Sequence, residues 1–262
     1  MKLFYRQFGD GEPLIILHGL FGMSDNWVSI GKLLAQKYTV IIPDLRNHGQ
    51  SPHSNIFDYG SMTVDVLELL EDLDLKSAII MGHSMGGKVA MQFALQYPER
   101  TNKLIVVDMS MRQYDDQQMQ IDILKAMRTI DFEQVDSRNR VSELLKQSIT
   151  DEKVRLFIMK NLYRKTREQL DWRPALEDIY RNIDNIFIAI SSENVFEGAS
   201  LFIQGAESNY VLKSDTPALL QYFPQAVFKV VSQAGHWVHA DNPEEFLHQV
   251  TDFLDIKKAP IL

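Results

Sequence analysis

The stretch Ala78-Ile79-Ile80-Met81-Gly82-His83-Ser84-Met85-Gly86-Gly87-Lys88 decides how this chain is read. Four apolar residues ending at a glycine make a short, fully buried strand. From Met85 to Tyr97 the apolar spacing becomes helical and stops at Pro98. The junction is Gly82-x-Ser84-x-Gly86, a G-x-S-x-G sequence between a strand and a helix. That is the setting of a nucleophile elbow, in which a serine is held on a sharp turn with its hydroxyl exposed. Such a turn needs small neighbours, and Gly82, Gly86 and Gly87 leave that room. The competing reading is a glycine-rich turn that binds phosphate at a helix N-terminus.

Outward from this junction the same alternation repeats. Leu14 to Leu17 (LIIL), Val40 to Ile42 (VII) and Leu104 to Val107 (LIVV) read as buried strands; Asn26 to Lys37 and Ser61 to Asp74 read as helices. Strand, helix and strand at this spacing predict right-handed βαβ units and a parallel sheet. The pattern returns with strands at Ser200 to Gly205 and Ala226 to Val231 and a closing helix at Pro243 to Leu254. The first eleven residues predict an antiparallel hairpin at the sheet edge, turned at Gly9-Asp10-Gly11. Met109 to Ala199 carries several helical patterns and no convincing strand before Ile186. It reads as a wholly helical lid over the C-terminal edge of the sheet, where open α/β sheets bind ligands. The division expected is a core of residues 1–109 and 199–262 with a lid of 110–198.

Composition narrows the chemistry. The 262 residues hold 27 Lys and Arg against 35 Asp and Glu, a net charge of −8, and no cysteine. A disulfide framework, a thiol nucleophile and a cysteine-based metal centre are excluded. The negative balance argues against a nucleic-acid or anionic-membrane partner. No apolar run approaches the roughly 18 residues of a membrane span, and the opening residues lack the parts of a signal peptide. A cytoplasmic protein with a small-molecule substrate, and no metal, is the expectation.

Two further segments complete a possible site. His18-Gly19-Leu20-Phe21-Gly22 follows the first buried strand. An oxyanion formed in acyl transfer needs two preorganised N–H donors. The amide of Met85 is one candidate and that of Leu20 the other, with Phe21 as the alternative; His18 reads as a structural side chain fixing its loop. Gly235-His236-Trp237 follows the last strand, so His236 can reach Ser84 as general base. His239 is read as a packing or capping residue, and His48, His53, His83 and His248 as loop or surface residues.

HGLFG, Asp44-Leu45-Arg46-Asn47-His48-Gly49-Gln50-Ser51, GHSMGG and AGHW together resemble the α/β-hydrolase superfamily along essentially the whole chain. RNHGQS, GHSMGGK, VVDMS and GHWVHA are most similar to the bacterial YbfF-type esterases and their mitochondrial relatives. The resemblance implies an α/β-hydrolase core with an inserted lid, no cofactor, and serine hydrolysis of esters or acyl thioesters such as fatty acyl-CoA. It also bears on the triad acid. The usual Asp after the seventh strand is missing from LFIQGAESNYV, where Glu207 is the nearby acid. In the YbfF-like group the acid resembles Asp108, which ends the strand LIVV. Asp108 is therefore preferred to Glu207, with a helix cap as its alternative role. Asp44, Arg46, Trp172 and Arg173 read as structural.

The lid has six basic residues from Lys153 to Arg167 and no acid between them. As a helix this segment puts Lys153, Lys160, Arg164 and Arg167 on one face, and Lys160, Arg164 and Arg167 are the candidates for contacting CoA phosphates. Met111, Met119, Met127 and Met159 are candidates for lining an acyl tunnel. The other readings are a carbon–carbon bond hydrolase or lyase, a cofactor-free perhydrolase, and a non-catalytic ligand receptor on the same scaffold.

Overall fold

The computed structural model describes residues 1–115 and 117–255. Seven strands form one twisted sheet: β1 (Tyr5–Phe8), β2 (Glu12–Leu17), β3 (Tyr38–Pro43), β4 (Ala78–His83), β5 (Thr101–Val107), and, after a long insertion, β8 (Ser200–Gly205) and β9 (Ala226–Val231). Their spatial order is β1-β3-β2-β4-β5-β8-β9, and all neighbours are parallel except β1 with β3.

The expected N-terminal hairpin is not formed. β1 pairs with β3, Tyr5 opposite Pro43 and Phe8 opposite Val40, and β2 lies on the far side of β3. Gly9-Asp10-Gly11 instead carries the chain across the start of β3. A Cβ on Gly9, whose φ is +75°, would lie 2.4 Å from the carbonyl oxygens of both Ala35 and Tyr38. Only a glycine lets the backbone cross that closely.

Both faces of the sheet are covered, so the central strands are apolar on every residue rather than on alternate ones. Ile15, Leu17, Ala78 and Ile80 face helices α2 (Tyr59–Asp72) and α3 (Met85–Gln96). Leu14, Ile16, Ile79 and Met81 face α1 (Val28–Leu34) and α11 (Pro243–Asp255). α2 starts at a capped end, with the Asp58 side chain accepting from the Ser61 amide. α3 ends before Pro98, as the missing N–H requires.

The insertion between β5 and β8 holds helices α4 (Gln118–Arg128), α5 (Arg138–Lys146), α6 (Glu152–Met159), α7 (Leu176–Asn182) and α8 (Asp184–Phe187). It is not helical throughout. Leu162–Arg164 (β6) and Leu170–Trp172 (β7) form a small antiparallel hairpin. α6 therefore stops at Met159, and the single basic helix face expected from Lys153 to Arg167 does not exist. Strands of three residues carry too little periodicity to be distinguished from a helix turn. Buried residues of the insertion, including Leu124, Val141, Ile158 and Ile179, join the same apolar cluster as α2 and α3. α9 (Thr216–Tyr222) and the short α10 (Val238–Asp241) flank β9.

A buried lysine ties the insertion to the sheet layer. Lys88, four residues after Ser84 on α3, is fully buried and donates to the carbonyls of Arg112 (2.9 Å) and Ile188. These two carbonyls lie near the two ends of the insertion.

Candidate active site

Ser84 stands between β4 and α3 with φ 54° and ψ −123°, a conformation costly for any residue with a Cβ. Its surroundings hold it there. The Ser84 amide donates to the carbonyl of Val107 on β5 (3.1 Å), and the Ser84 carbonyl accepts from Gly87 (2.8 Å). A Cβ at Gly82 would be 2.0 Å from the Gly86 carbonyl oxygen, and one at Gly86 2.4 Å from that of Leu17. The glycines thus allow the strand end, the turn and β2 to pack backbone to backbone.

His236, on the loop leaving β9, places Nε2 2.9 Å from the Ser84 hydroxyl oxygen. Its Nδ1 is 2.7 Å from Oδ2 of Asp108. A carboxylate can only accept, so Nδ1 carries the proton and the Nε2 lone pair faces Ser84. Asp108 directly follows β5, is fully buried and has φ 51°. Its amide donates to Ile203 (2.7 Å), its Oδ1 accepts from the Gly205 amide (3.1 Å), and its Oδ2 also accepts from the Ser208 hydroxyl. Glu207 lies exposed in the loop after β8, its amide donating to Ala234. Of the two acids, the one placed against His236 is Asp108.

The two candidate oxyanion donors belong to segments that adjoin Ser84. Met85 opens α3, where the first amides have no partner within the helix. The His18-Gly19-Leu20 turn approaches from β2, so close that a Cβ on Gly19 would be 3.1 Å from that of Ser84. The amide of Phe21 is already committed, donating to His48 Nε2 at 3.1 Å. That leaves Leu20, which lines the cavity, as the free choice of the pair.

Three further histidines are buried. His18 does hold its loop, with Nε2 accepting from Leu45 (2.9 Å) and Nδ1 near the Gly19 carbonyl. His48 and His83, read as loop or surface residues, are both buried, His48 in the loop after β3 and His83 at the end of β4. Burial pushes His18 down to about 4 and His48 down to about 3, so both rings stay neutral and can accept from backbone amides. His83, the variable residue of the elbow, donates from Nε2 to the His236 carbonyl at 2.8 Å. Burial keeps it well below the ordinary histidine value. Hydropathy cannot reveal such residues, because their polar atoms are satisfied by backbone groups distant in sequence. His239 packs as expected, stacked on Trp27 with ring centroids 3.9 Å apart.

Asp44 and Arg46 brace loops. Asp44 accepts from the amides of Ser24 (2.6 Å) and Gln50 (2.7 Å), and Arg46 forms a two-point pair with the buried Asp65 (2.6 and 2.8 Å). Trp172 is buried and donates to Met127, while Arg173 lies over the Tyr163 ring.

Ser84 opens into a cavity of about 420 Å³ walled by Trp27, Ile123, Val154, Leu156, Phe157 and Trp237. This size and apolar lining suit a small organic ligand. The basic candidates separate. Lys160 lines the mouth together with Lys153, which pairs with Asp241 at 3.2 Å. Arg164 and Arg167 are in the hairpin and away from the cavity lining, with Arg164 donating to the Arg167 carbonyl. Of the four insertion methionines only Met119 lines the cavity; Met111, Met127 and Met159 are core residues.

Two residues beside the site have no counterpart in the sequence reading. Ser208 holds Asp108, and the ring of Tyr210 stacks on the His236 imidazole, centroids 3.7 Å apart and planes 18° from parallel. Both lie in the loop where the commoner triad acid was sought, and nothing in its composition marks them. Among the described residues there is no cluster of metal-binding side chains, and no helix is long and apolar enough to cross a membrane.

Comparison with known proteins agrees with this architecture. A family model for the alpha/beta hydrolase fold matches residues 12–243. The sn-1-specific diacylglycerol lipase ABHD11 of Danio rerio is 36% identical over 252 residues, 94% of this chain and 79% of that protein. Esterase YbfF of Escherichia coli is 30% identical over 254 residues, 94% of each chain. A solved marine microorganism esterase superposes with a TM-score of 0.94 at 37% identity, covering 96% of this chain and 99% of its own. The chain belongs to the α/β-hydrolase fold family and, within it, to the YbfF-like esterases.

Proposed function

We propose that this esterase is a serine hydrolase with Ser84 as nucleophile, His236 as general base and Asp108 as the orienting acid. His236 Nε2 takes the Ser84 proton as the hydroxyl oxygen attacks the acyl carbonyl. The carbonyl oxygen becomes an oxyanion between the amides of Leu20 and Met85. His236, now an imidazolium held by Asp108, returns the proton to the departing alcohol and leaves an acyl-enzyme. Water then enters, and His236 removes one of its protons as the water oxygen attacks the acyl carbon. The acyl–Ser84 bond breaks as His236 returns that proton to the Ser84 oxygen, releasing the acid. The insertion serves as a lid, its α4 and α6 walling the cavity above Ser84.

The observation that carries this reading is the unbroken line from the Ser84 hydroxyl to His236 (2.9 Å) and from His236 to Asp108 (2.7 Å). The test is labelling with a fluorophosphonate probe alongside hydrolysis of nitrophenyl esters. Wild type should label and turn over, and Ser84→Ala should do neither. Hydrolysis by Ser84→Ala within tenfold of wild type would remove the serine mechanism. Ligand binding without labelling would indicate a receptor instead.

The substrate class proposed is an acyl ester with a medium-sized apolar group, including glyceride esters of the kind named for the Danio rerio relative. A second reading, cleavage of an acyl thioester such as acyl-CoA, draws on Lys153 and Lys160 at the cavity mouth. A panel of nitrophenyl esters, diacylglycerols and acyl-CoAs of varied chain length separates the two.

A further inference from the structure

The loop that follows β8 reaches the site without supplying its acid. Ser208 donates its hydroxyl to Asp108 Oδ2, the same oxygen that faces His236 Nδ1, and its Oγ accepts from the Tyr210 amide (3.2 Å). Two residues further on, the ring of Tyr210 covers one flat side of the His236 imidazole. His83 meets the same imidazole at a ring distance of 4.8 Å and holds its backbone carbonyl. The imidazole is therefore fixed at both nitrogens and covered on one face.

Tyr210 is itself held from the insertion. Its hydroxyl is 2.7 Å from the side-chain amide of Gln120 on α4. Its carbonyl accepts from the Tyr114 hydroxyl (2.8 Å), which in turn accepts from the Ser110 amide (2.8 Å). The Tyr114 ring lies 4.9 Å from the Lys88 ammonium, and the Tyr114 amide donates to Phe187. Two hydrogen bonds thus run from the insertion to Tyr210, one to its ring hydroxyl and one to its carbonyl.

We propose that Tyr210 is a positioning residue: its ring face holds the His236 imidazole in the plane that joins Ser84 to Asp108 and stabilises the imidazolium formed during acyl transfer. This rests on the serine mechanism above. A stacked aromatic face attracts a cation through its quadrupole. The same ring excludes water from the His236–Asp108 hydrogen bond and so keeps that bond in a low-dielectric setting.

The experiment compares Tyr210→Phe, Tyr210→Leu and Ser84→Ala with wild type in hydrolysis of a short nitrophenyl ester from pH 5 to 9. The His236 imidazole is followed in parallel by NMR titration. Tyr210→Phe keeps the ring and should stay within about threefold of wild-type kcat. Tyr210→Leu should lose roughly tenfold in kcat with KM little changed. The acid limb of its pH–rate profile should move to lower pH, because the imidazolium loses the ring face that favours it. Two results would overturn the proposal: a Tyr210→Leu profile superimposable on wild type, or equal losses in the Phe and Leu variants with no shift of His236. The latter would make Tyr210 an ordinary packing residue. If the serine mechanism itself fails, wild type and Ser84→Ala hydrolyse alike, and that outcome is distinct from both.

Discussion

Asp108 and His236 are 128 positions apart in the chain, yet a carboxylate oxygen of one lies 2.7 Å from Nδ1 of the other. The pairing follows from strand order. β5 is an interior strand next to the central β4, and β9 is at the edge, with only β8 between β5 and β9. All three run parallel, so residues leaving their C-terminal ends meet on one side. Asp108 is additionally held by Ile203 and Gly205, both on the intervening β8.

This fixes the expected result for the acid. Asp108→Asn should lower kcat at least a hundredfold, because the amide cannot orient the imidazole or stabilise its charged form. Glu207→Gln should change kcat less than tenfold, since Glu207 is exposed and the carboxylate against His236 is that of Asp108. Steady-state kinetics on a nitrophenyl ester decides it. A crippled Glu207→Gln beside a mild Asp108→Asn would reverse the assignment.

The elbow makes a prediction about stability as well as rate. With φ at 54° and ψ at −123°, Ser84 carries strain that any side chain with a Cβ shares. Ser84→Ala should be inactive with a melting temperature close to wild type. Ser84→Gly should be equally inactive yet more stable than Ser84→Ala, by about 1 kcal/mol, because glycine relieves the strain. Equal melting temperatures for the two variants would mean that the turn is relaxed.

The buried histidines make stability depend on pH. Burial places His18 at about 4 and both His48 and His239 at about 3 in the folded protein, below their ordinary value of 6.5. A depressed folded value means that the unfolded chain binds more protons in between. The stability is complete above about pH 6.5 and is lost as pH falls toward 4, each histidine approaching a slope of about 1.4 kcal/mol per pH unit. Urea unfolding at several pH values measures the slope. His239→Phe, which preserves the stack on Trp27, should remove about one proton from it. An unchanged slope in that variant would show that His239 titrates normally.

Much of this arrangement is legible in the sequence, for physical reasons that differ by element. β4 and β5 are apolar on every residue because helices cover both faces, and the glycines around Ser84 announce close backbone packing. His236 is legible by its place after the last strand. What escapes is set by contacts between distant segments. His83 and His48 read as loop or surface residues until Phe21, Arg46 and the His236 carbonyl supply their backbone partners. The β6–β7 hairpin is too short to carry a period, so its basic residues read as a continuation of α6. Ser208 and Tyr210 are ordinary loop residues whose roles exist only once β8 has been laid beside β5.

Dividing the basic segment between α6 and the hairpin yields a final prediction about charged substrates. Lys153 and Lys160 face the cavity mouth, whereas Arg164 and Arg167 are absent from its lining. If acyl-CoA is a substrate, the first pair is the one placed at the cavity to meet its phosphates. Lys153→Gln combined with Lys160→Gln should raise KM for acyl-CoA about fivefold at low salt, an effect typical of exposed charge pairs. Added salt should erase the difference, since screening acts over roughly 10 Å at 0.1 M ionic strength. An uncharged nitrophenyl ester should be hydrolysed as before, because it offers the lysines nothing to bind. Arg164→Gln combined with Arg167→Gln should leave both substrates unaffected. A KM change confined to the arginine variant would place the phosphates over the hairpin. A salt-independent loss in the lysine variant on both substrates would mean that Lys153 and Lys160 maintain the mouth by packing their stems rather than by charge.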